Sequence, residues 1–290
     1  MNKAAPSGAS GGGASGGASG GDGTWLVLGG GGLKGLAHVG AWQALSEVGL
    51  RPAGIVGTSI GALVGALAAS GMTVEEMRRH ALALDRTRVA RVNRRAVWIN
   101  GIRQPSVFHG ETLRDLFESI LPAEGWRALE IPLLINTVDL ATGSTEWFGP
   151  GARADLTLGE AVYASSALPV FYPPLLSDGH AYVDGGITSS LPIGKAADEK
   201  AETIIAVDVG AGGSADVREI LRGGMIAVHQ RVVALMMSER RHGMVSKWDG
   251  PPLVYVRPRL AGYGTFDFEH IPYFLDEGYR ATRAALAEPR

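Results

Sequence analysis

The chain of 290 residues contains no cysteine. Disulfides and cysteine-ligated metals are therefore excluded, and a reducing compartment is allowed. Nor is there an excess of either charge. Lys and Arg number 27 against 29 Asp and Glu, a net charge of −2, so nothing points to a nucleic-acid-binding surface. No apolar run reaches the ~20 residues that a membrane span needs. The most apolar stretch, residues 55–69, is dense in Gly, Ser and Thr, as a buried strand, turn and helix would be. The N-terminus offers Lys3 and then only small residues, with no apolar h-region, so it does not read as a secretory leader. A soluble, cytoplasmic protein is the expectation.

What the chain has in abundance is glycine, 42 residues of it. Residues 7–23 are nearly all Gly, Ser and Ala and bury too little apolar area to offset ordering entropy, so residues 1–23 are expected to be a flexible tail. One folded domain is expected over 24–290, with no internal repeat and no later linker. Short, fully apolar strands are predicted at 25–28, 54–56, 132–138, 145–148, 181–183, 204–209 and 253–256. Helical patterns fall at 34–48, 60–69, 111–120, 158–164, 192–200, 217–240 and 268–286, and Thr73 with Glu76 forms a capping box that opens another helix. Alternating apolar strands and helices predict an α/β fold, a mostly parallel sheet covered on both faces. Ligands in such sheets sit at the carboxyl ends of the strands.

Two glycine motifs lie at those ends. The first is Gly57-Thr58-Ser59-Ile60-Gly61, a serine flanked by glycines between a strand and a helix. A sharp turn there pushes Oγ out of the sheet, the two glycines let the backbone crowd, and the helix N-terminus faces developing negative charge. An ordinary tight turn in a glycine-rich chain would read the same way. The second is the run from Gly29 to Gly35. Gly30-x-Gly32-x-x-Gly35 fits a dinucleotide fingerprint, but no Asp or Glu lies between Glu47 and Glu75 to hold a ribose. A P-loop is excluded because Lys34 is followed by glycine. What remains is an anion-binding nest at a helix start, where Lys34 either neutralises a phosphate or is solvated.

A serine hydroxyl needs a base. None of the histidines after Ser59 carries a local signature, and Ser59 follows only two strands, which argues against a Ser-acid-His triad. Asp184-Gly185-Gly186 ends the strand 181–183, which would bring Asp184 to the same sheet edge. Its carboxylate can serve as a base if partly desolvated. Asp-Gly is also the commonest β-turn dipeptide.

Taken together, Gly30-Gly31-Gly32-Leu33-Lys34-Gly35, Gly57-Thr58-Ser59-Ile60-Gly61 and Asp184-Gly185-Gly186 resemble the patatin-like phospholipase family. Ala164-Ser165-Ser166-Ala167-Leu168-Pro169 is similar to that family's segment before the strand leading to the aspartate, and the length is similar to compact bacterial members of the neuropathy-target-esterase branch. The resemblance implies a three-layer α/β/α fold with a mostly parallel central sheet. It also implies a Ser–Asp dyad without histidine: Ser59 as nucleophile, Asp184 as base, and an oxyanion loop of Gly30, Gly31 and Gly32 with Lys34 and Gly35. Gly57, Gly61, Gly185 and Gly186 flank the two reactive groups. The implied activity is lipid acyl-ester hydrolysis, as phospholipase A, lysophospholipase or carboxylesterase, with no metal and no cofactor. The rival readings are a dinucleotide-binding oxidoreductase using 30–35 and an inactive scaffold that keeps the motifs.

A lipid substrate implies a membrane or micelle surface. Residues 78–103 hold eight arginines against Asp85 alone, interleaved with Val89, Val92, Val97, Trp98 and Ile99. Peripheral contact of this segment with an anionic membrane is one expectation, a solvated basic loop the other. Met225, Val228, Val232, Leu235 and Met236 recur at helical spacing, a stripe that usually packs into a core.

Overall fold

The computed structural model describes residues 23–92, 105–210 and 216–288. The elements that position the site are strands β1 (Thr24–Leu28), β2 (Gly54–Gly57), β3 (Leu133–Asp139), β4 (Thr145–Phe148), β5 (Leu175–Ser177), β6 (His180–Asp184), β7 (Thr203–Val207) and β8 (Leu253–Val256). The helices are α1 (Ala37–Glu47), α2 (Ile60–Ala69), α3 (Val74–Leu82), α4 (Arg86–Val89), α5 (Gly110–Ile120), α6 (Leu158–Ser166), α7 (Ile193–Asp198), α8 (Val217–Arg222), α9 (Gly224–Ser246) and α10 (Ile271–Ala287). The hydrogen-bonded order is β5-β6-β3-β2-β1-β7-β8, with β4 also paired to β3. Pairs β2–β3, β1–β2, β1–β7 and β7–β8 are parallel, and β3–β4, β3–β6 and β5–β6 are antiparallel.

Central strand β1 explains the layering. Leu26 and Leu28 face one core while Trp25 and Val27 face another, so both sides of the sheet are buried. The larger core holds side chains of α1, α2, α3, α5, α6 and α10, and the smaller is covered by α7 and by Met244 and Val245 of α9. This is the expected three-layer α/β/α arrangement. Local signals are also met: Thr73 and Glu76 form the reciprocal capping box, and Thr157 and Glu160 form a second.

Three expectations change. The predicted helix 34–48 begins as a 3-10 turn over Gly32–Leu36 before α1 starts at Ala37. The pattern at 217–240 is two helices, broken at Gly223 and Gly224, where Gly224 has φ of +67°. The stripe on α9 is not core. Met225, Val228, Val232, Leu235 and Met236 are 40–79% exposed, whereas Arg241 of the same helix is buried. The helix lies across the site with its other side, so its apolar outer face meets solvent rather than protein. The tail expected at 1–23 lies outside the described residues except for Gly23, as do Arg94, Arg95, Val97, Trp98, Ile99 and Arg103 of the arginine-rich stretch.

Candidate functional site

The register around β3 brings the serine and the aspartate together. Ile135 of β3 pairs with Gly57 of β2 on one edge and with Phe148 of β4 on the other. Thr137 and Val138 pair with both β4 and β6. Hence β2 and β6 share the same edge of β3. β2 occupies Leu133 to Ile135 and β6 occupies Thr137 to Asp139. Because β6 is antiparallel to β3, the carboxyl ends of β2 and β6 point at each other, and they meet beside Asn136. The sequence places Asp184 at the edge where all strands end. It arrives there from the opposite direction, on the part of β3 that overhangs β2.

Asn136 joins the two ends. Its Oδ1 accepts the Thr58 hydroxyl at 2.8 Å, and its Nδ2 donates to the carbonyls of Gly185 at 3.1 Å and Ser189 at 3.0 Å. The residues preceding Ser59 and following Asp184 are thereby held by one fully buried side chain.

Ser59 sits on the turn between β2 and α2 at φ 55°, ψ −124°, a left-handed conformation that costs a non-glycine residue energy and that the surroundings must enforce. The Thr58 N–H donates to the Leu28 carbonyl at 3.0 Å, and the Ser59 N–H donates to the Ser165 hydroxyl at 2.8 Å. Gly61 is required because a Cβ there would run into the Leu28 and Gly29 carbonyls. Gly57 ends β2 on the opposite side of the same crowded turn.

Asp184 is 3% exposed. Burial pushes its carboxyl up to about 6, against the pull of the Gly186 N–H and then the Ser59 hydroxyl, both of which favour the ionised form. Gly186 N donates to Asp184 Oδ1 at 2.7 Å, in the short 3-10 turn Gly185–Ile187. A Cβ at Gly186 would lie 2.9 Å from that same oxygen.

The glycine loop crosses above this pair. Gly29 N–H donates to the Val207 carbonyl at 3.1 Å and Gly30 N–H to the Ser190 carbonyl at 2.9 Å, which anchors the loop. The Gly31 and Gly32 amides have no partner among the described residues, and neither has the Ile60 amide at the start of α2. These three, not Gly30, are the amides open to an anion. Gly35 packs directly against Ile60, where a Cβ would collide with the isoleucine side chain, so the loop and the serine turn are set against each other. His38 fixes the loop from behind. Its Nε2 donates to the Gly29 carbonyl at 2.7 Å, and complete burial lowers its pKa to about 4, so it stays neutral.

Ser59, Asp184, Gly30, Gly31, Gly32 and Lys34 all line one cavity. Its deeper wall is apolar, made by Leu63 and Leu67 of α2, Met77 of α3, and Leu113, Leu116 and Phe117 of α5. Its other wall is the inner face of α9, with Val233, Ala234 and Met237. His80 and His229 also line it, but neither is hydrogen-bonded to Ser59 or Asp184. Among the described residues no group of His, Asp or Glu is placed to hold a metal ion. Sequence reasoning assigns no role to Ser165, Asn136 or His38. Ser165 lies within a recognised block, whereas Asn136 and His38 carry no local signal.

The fold and the site define a class: a three-layer α/β/α protein with a strained serine turn facing a buried carboxylate over an apolar cavity. The chain belongs to the patatin-like phospholipase family, whose sequence pattern matches residues 26–197. It is 32% identical to an uncharacterized NTE family protein of Mycobacterium tuberculosis over 194 residues, 67% of this chain and 51% of that one. It is 31% identical to patatin-like phospholipase domain-containing protein 7 of Rattus norvegicus over 281 residues, 88% of this chain and 20% of that one. The chain thus spans about half of the mycobacterial relative and a fifth of the rat one. Its fold is similar to that of VipD from Legionella pneumophila, with a TM-score of 0.54 at 16% identity, covering 93% of this chain and 67% of VipD.

Proposed function

We propose that this chain hydrolyses the acyl esters of lipids through Ser59 and Asp184. The observation that carries this is the pair itself: a serine on a strained turn beside a buried carboxylate, at the head of an apolar cavity. In the first half-reaction Asp184 takes the Ser59 proton as Oγ bonds to the ester carbonyl carbon. The carbonyl oxygen becomes an oxyanion that the Gly31, Gly32 and Ile60 amides can receive. Collapse breaks the ester C–O bond, and the leaving alcohol takes the proton from Asp184. In the second half Asp184 deprotonates water as it attacks the acyl-serine carbonyl carbon, then returns that proton to Ser59 Oγ as the Oγ–C bond breaks and the fatty acid leaves. A carboxyl poised near 6 is ionised at neutral pH yet more basic than an ordinary aspartate, as general-base chemistry favours.

The apolar wall of α2, α3 and α5 suits an acyl chain, and that supports lipid esters over small polar ones. Phospholipase A, lysophospholipase and carboxylesterase activity all fit this arrangement. Contact with a membrane surface is part of the same reading. The outer face of α9 is apolar, α8 adds exposed Val217 and Leu221, and Arg88 of α4 borders the cavity. No helix among the described residues is long and apolar enough to cross a membrane.

The test is covalent labelling with a fluorophosphonate, together with hydrolysis of a long-chain p-nitrophenyl ester. Wild type should label and turn over, and Ser59→Ala should do neither. Equal labelling of the two proteins would refute the assignment.

A further inference from the structure

Three side-chain oxygens are buried without a hydrogen-bond partner among the described residues: Thr137 Oγ1, Ser166 Oγ and Tyr182 Oη. Of the three, only Ser166 borders the cavity that holds Ser59 and Asp184. It is the last residue of α6, within the block 164–169. Its neighbours on both sides hold the reactive pair in place. The Ser165 hydroxyl accepts the Ser59 N–H at 2.8 Å, and the Ala167 carbonyl accepts the Asp184 N–H at 3.1 Å. Ser166 therefore stands between the residue that fixes the serine turn and the residue that fixes the carboxylate. Asp184 lines the same cavity but does not answer this hydroxyl. Its carboxylate takes the Gly186 N–H and the Ser59 hydroxyl instead. A buried hydroxyl without a partner is costly, so its presence at a reacting centre calls for a group that takes up the bond.

The place of α6 in the fold says which group that is. β2, which leads to Ser59, lies between β1 and β3, and the glycine loop follows β1. The Gly31 and Gly32 amides thus reach an ester from the β1 side. α6 packs against β3 and β6, so Ser166 reaches it from the β6 side, where Asp184 lies. With the carbonyl oxygen on the amides and the acyl chain on the apolar wall, one oxygen is left on the Asp184 side. In the first half-reaction it is the oxygen of the leaving alcohol, and in the second it is the attacking water. We propose that the Ser166 hydroxyl binds this oxygen in both half-reactions. In the first it donates to the leaving oxygen while Asp184 gives that oxygen its proton. In the second it accepts one hydrogen of the water while Asp184 takes the other, which aims a lone pair at the acyl-serine carbon. A hydroxyl both donates and accepts, so one side chain suits both steps. This rests on the ester-hydrolase reading above and adds to it the group that positions water.

The experiment separates acylation from deacylation with p-nitrophenyl laurate. Its phenolate needs little help to leave, so the attack of water is the step exposed. Wild type, Ser166→Ala and Ser166→Thr are compared by stopped-flow release of p-nitrophenol, by intact-protein mass and by the rate of fluorophosphonate labelling. Ser166→Ala should lower the steady-state kcat about 10-fold, the range of one hydrogen bond to a reacting oxygen. It should still release the first p-nitrophenol in a fast burst, and the lauroyl adduct should accumulate on Ser59. Its labelling rate should stay within about two-fold of wild type, because that reaction uses no water. Ser166→Thr, which keeps a hydroxyl, should recover most of the hydrolysis. Labelling, burst and steady state falling together would show that Ser166 merely supports the serine turn, and would overturn the proposal. So would an unchanged steady-state rate, or a lower one without the acyl adduct. A wild type that neither labels nor hydrolyses would overturn the ester-hydrolase reading and this proposal with it, whereas an active wild type indifferent to Ser166 overturns this proposal alone.

Discussion

Replacing Asp184 by asparagine should remove activity and stabilise the fold at the same time. The carboxyl is displaced from 3.8 to about 6 by burial. Each unit corresponds to about 1.4 kcal/mol, so holding the ionised form in the native state at pH 7 costs about 3 kcal/mol. The substituted amide would keep an acceptor for the Gly186 N–H and carry no charge. Between pH 4 and 6 the native state keeps a proton that the unfolded chain has released, so the Asp184 contribution to stability falls as pH rises through that window. Neutral His38 acts the other way. Its pKa is lowered to about 4, so the unfolded chain gains a proton first and stability falls as pH drops from 6.5 to 4. The wild-type pH curve therefore mixes opposing contributions, and only the difference between variant and wild type isolates Asp184. Urea denaturation should show Asp184→Asn more stable by roughly 1–3 kcal/mol at pH 7, the lower end allowing for desolvation of the amide. The gap should close near pH 4, where both side chains are neutral. Hydrolysis should fall by more than ~100-fold, the usual contribution of a general base. Equal stability at pH 7, or a gain of the same size at both pH values, would refute the argument from a buried carboxylate.

Two further outcomes follow from the same geometry. The kcat/KM for a neutral ester should rise with pH through a limb near 6 as Asp184 ionises, and a limb below pH 4.5 would show a solvated carboxylate instead. Asn136→Ala should lower stability by about 1–3 kcal/mol, because it removes three hydrogen bonds around the two turns, although the Gly185 carbonyl keeps the Ser189 N–H at 3.0 Å. It should also lower kcat, and a loss of under ~0.5 kcal/mol by urea denaturation would show that the bridge is dispensable.

Much of this protein is legible residue by residue. The serine turn, the glycine loop, the capping boxes and most strand and helix positions depend on neighbours a few residues apart, and side-chain periodicity and backbone sterics report those directly. β5 escapes such a reading, since three residues with exposed Leu176 at their centre carry too short a pattern. The stripe on α9 shows the limit of periodicity. Helical spacing says that Met225, Val228, Val232, Leu235 and Met236 share a face, but not what that face meets.

The sequence by itself determined the reactive types and their local geometry: a serine between glycines at a strand end, an aspartate before two glycines, and amides left bare by the absence of side chains. Only the tertiary structure decided that the two ends meet. Ser59 and Asp184 are 125 positions apart, and their encounter depends on β3 outrunning β2 and on β6 descending along the overhang. Burial is likewise a property of the assembled layers. It raises Asp184 toward neutral pH, keeps His38 uncharged and lowers Lys34 toward neutrality, because each is desolvated by residues far away in the chain.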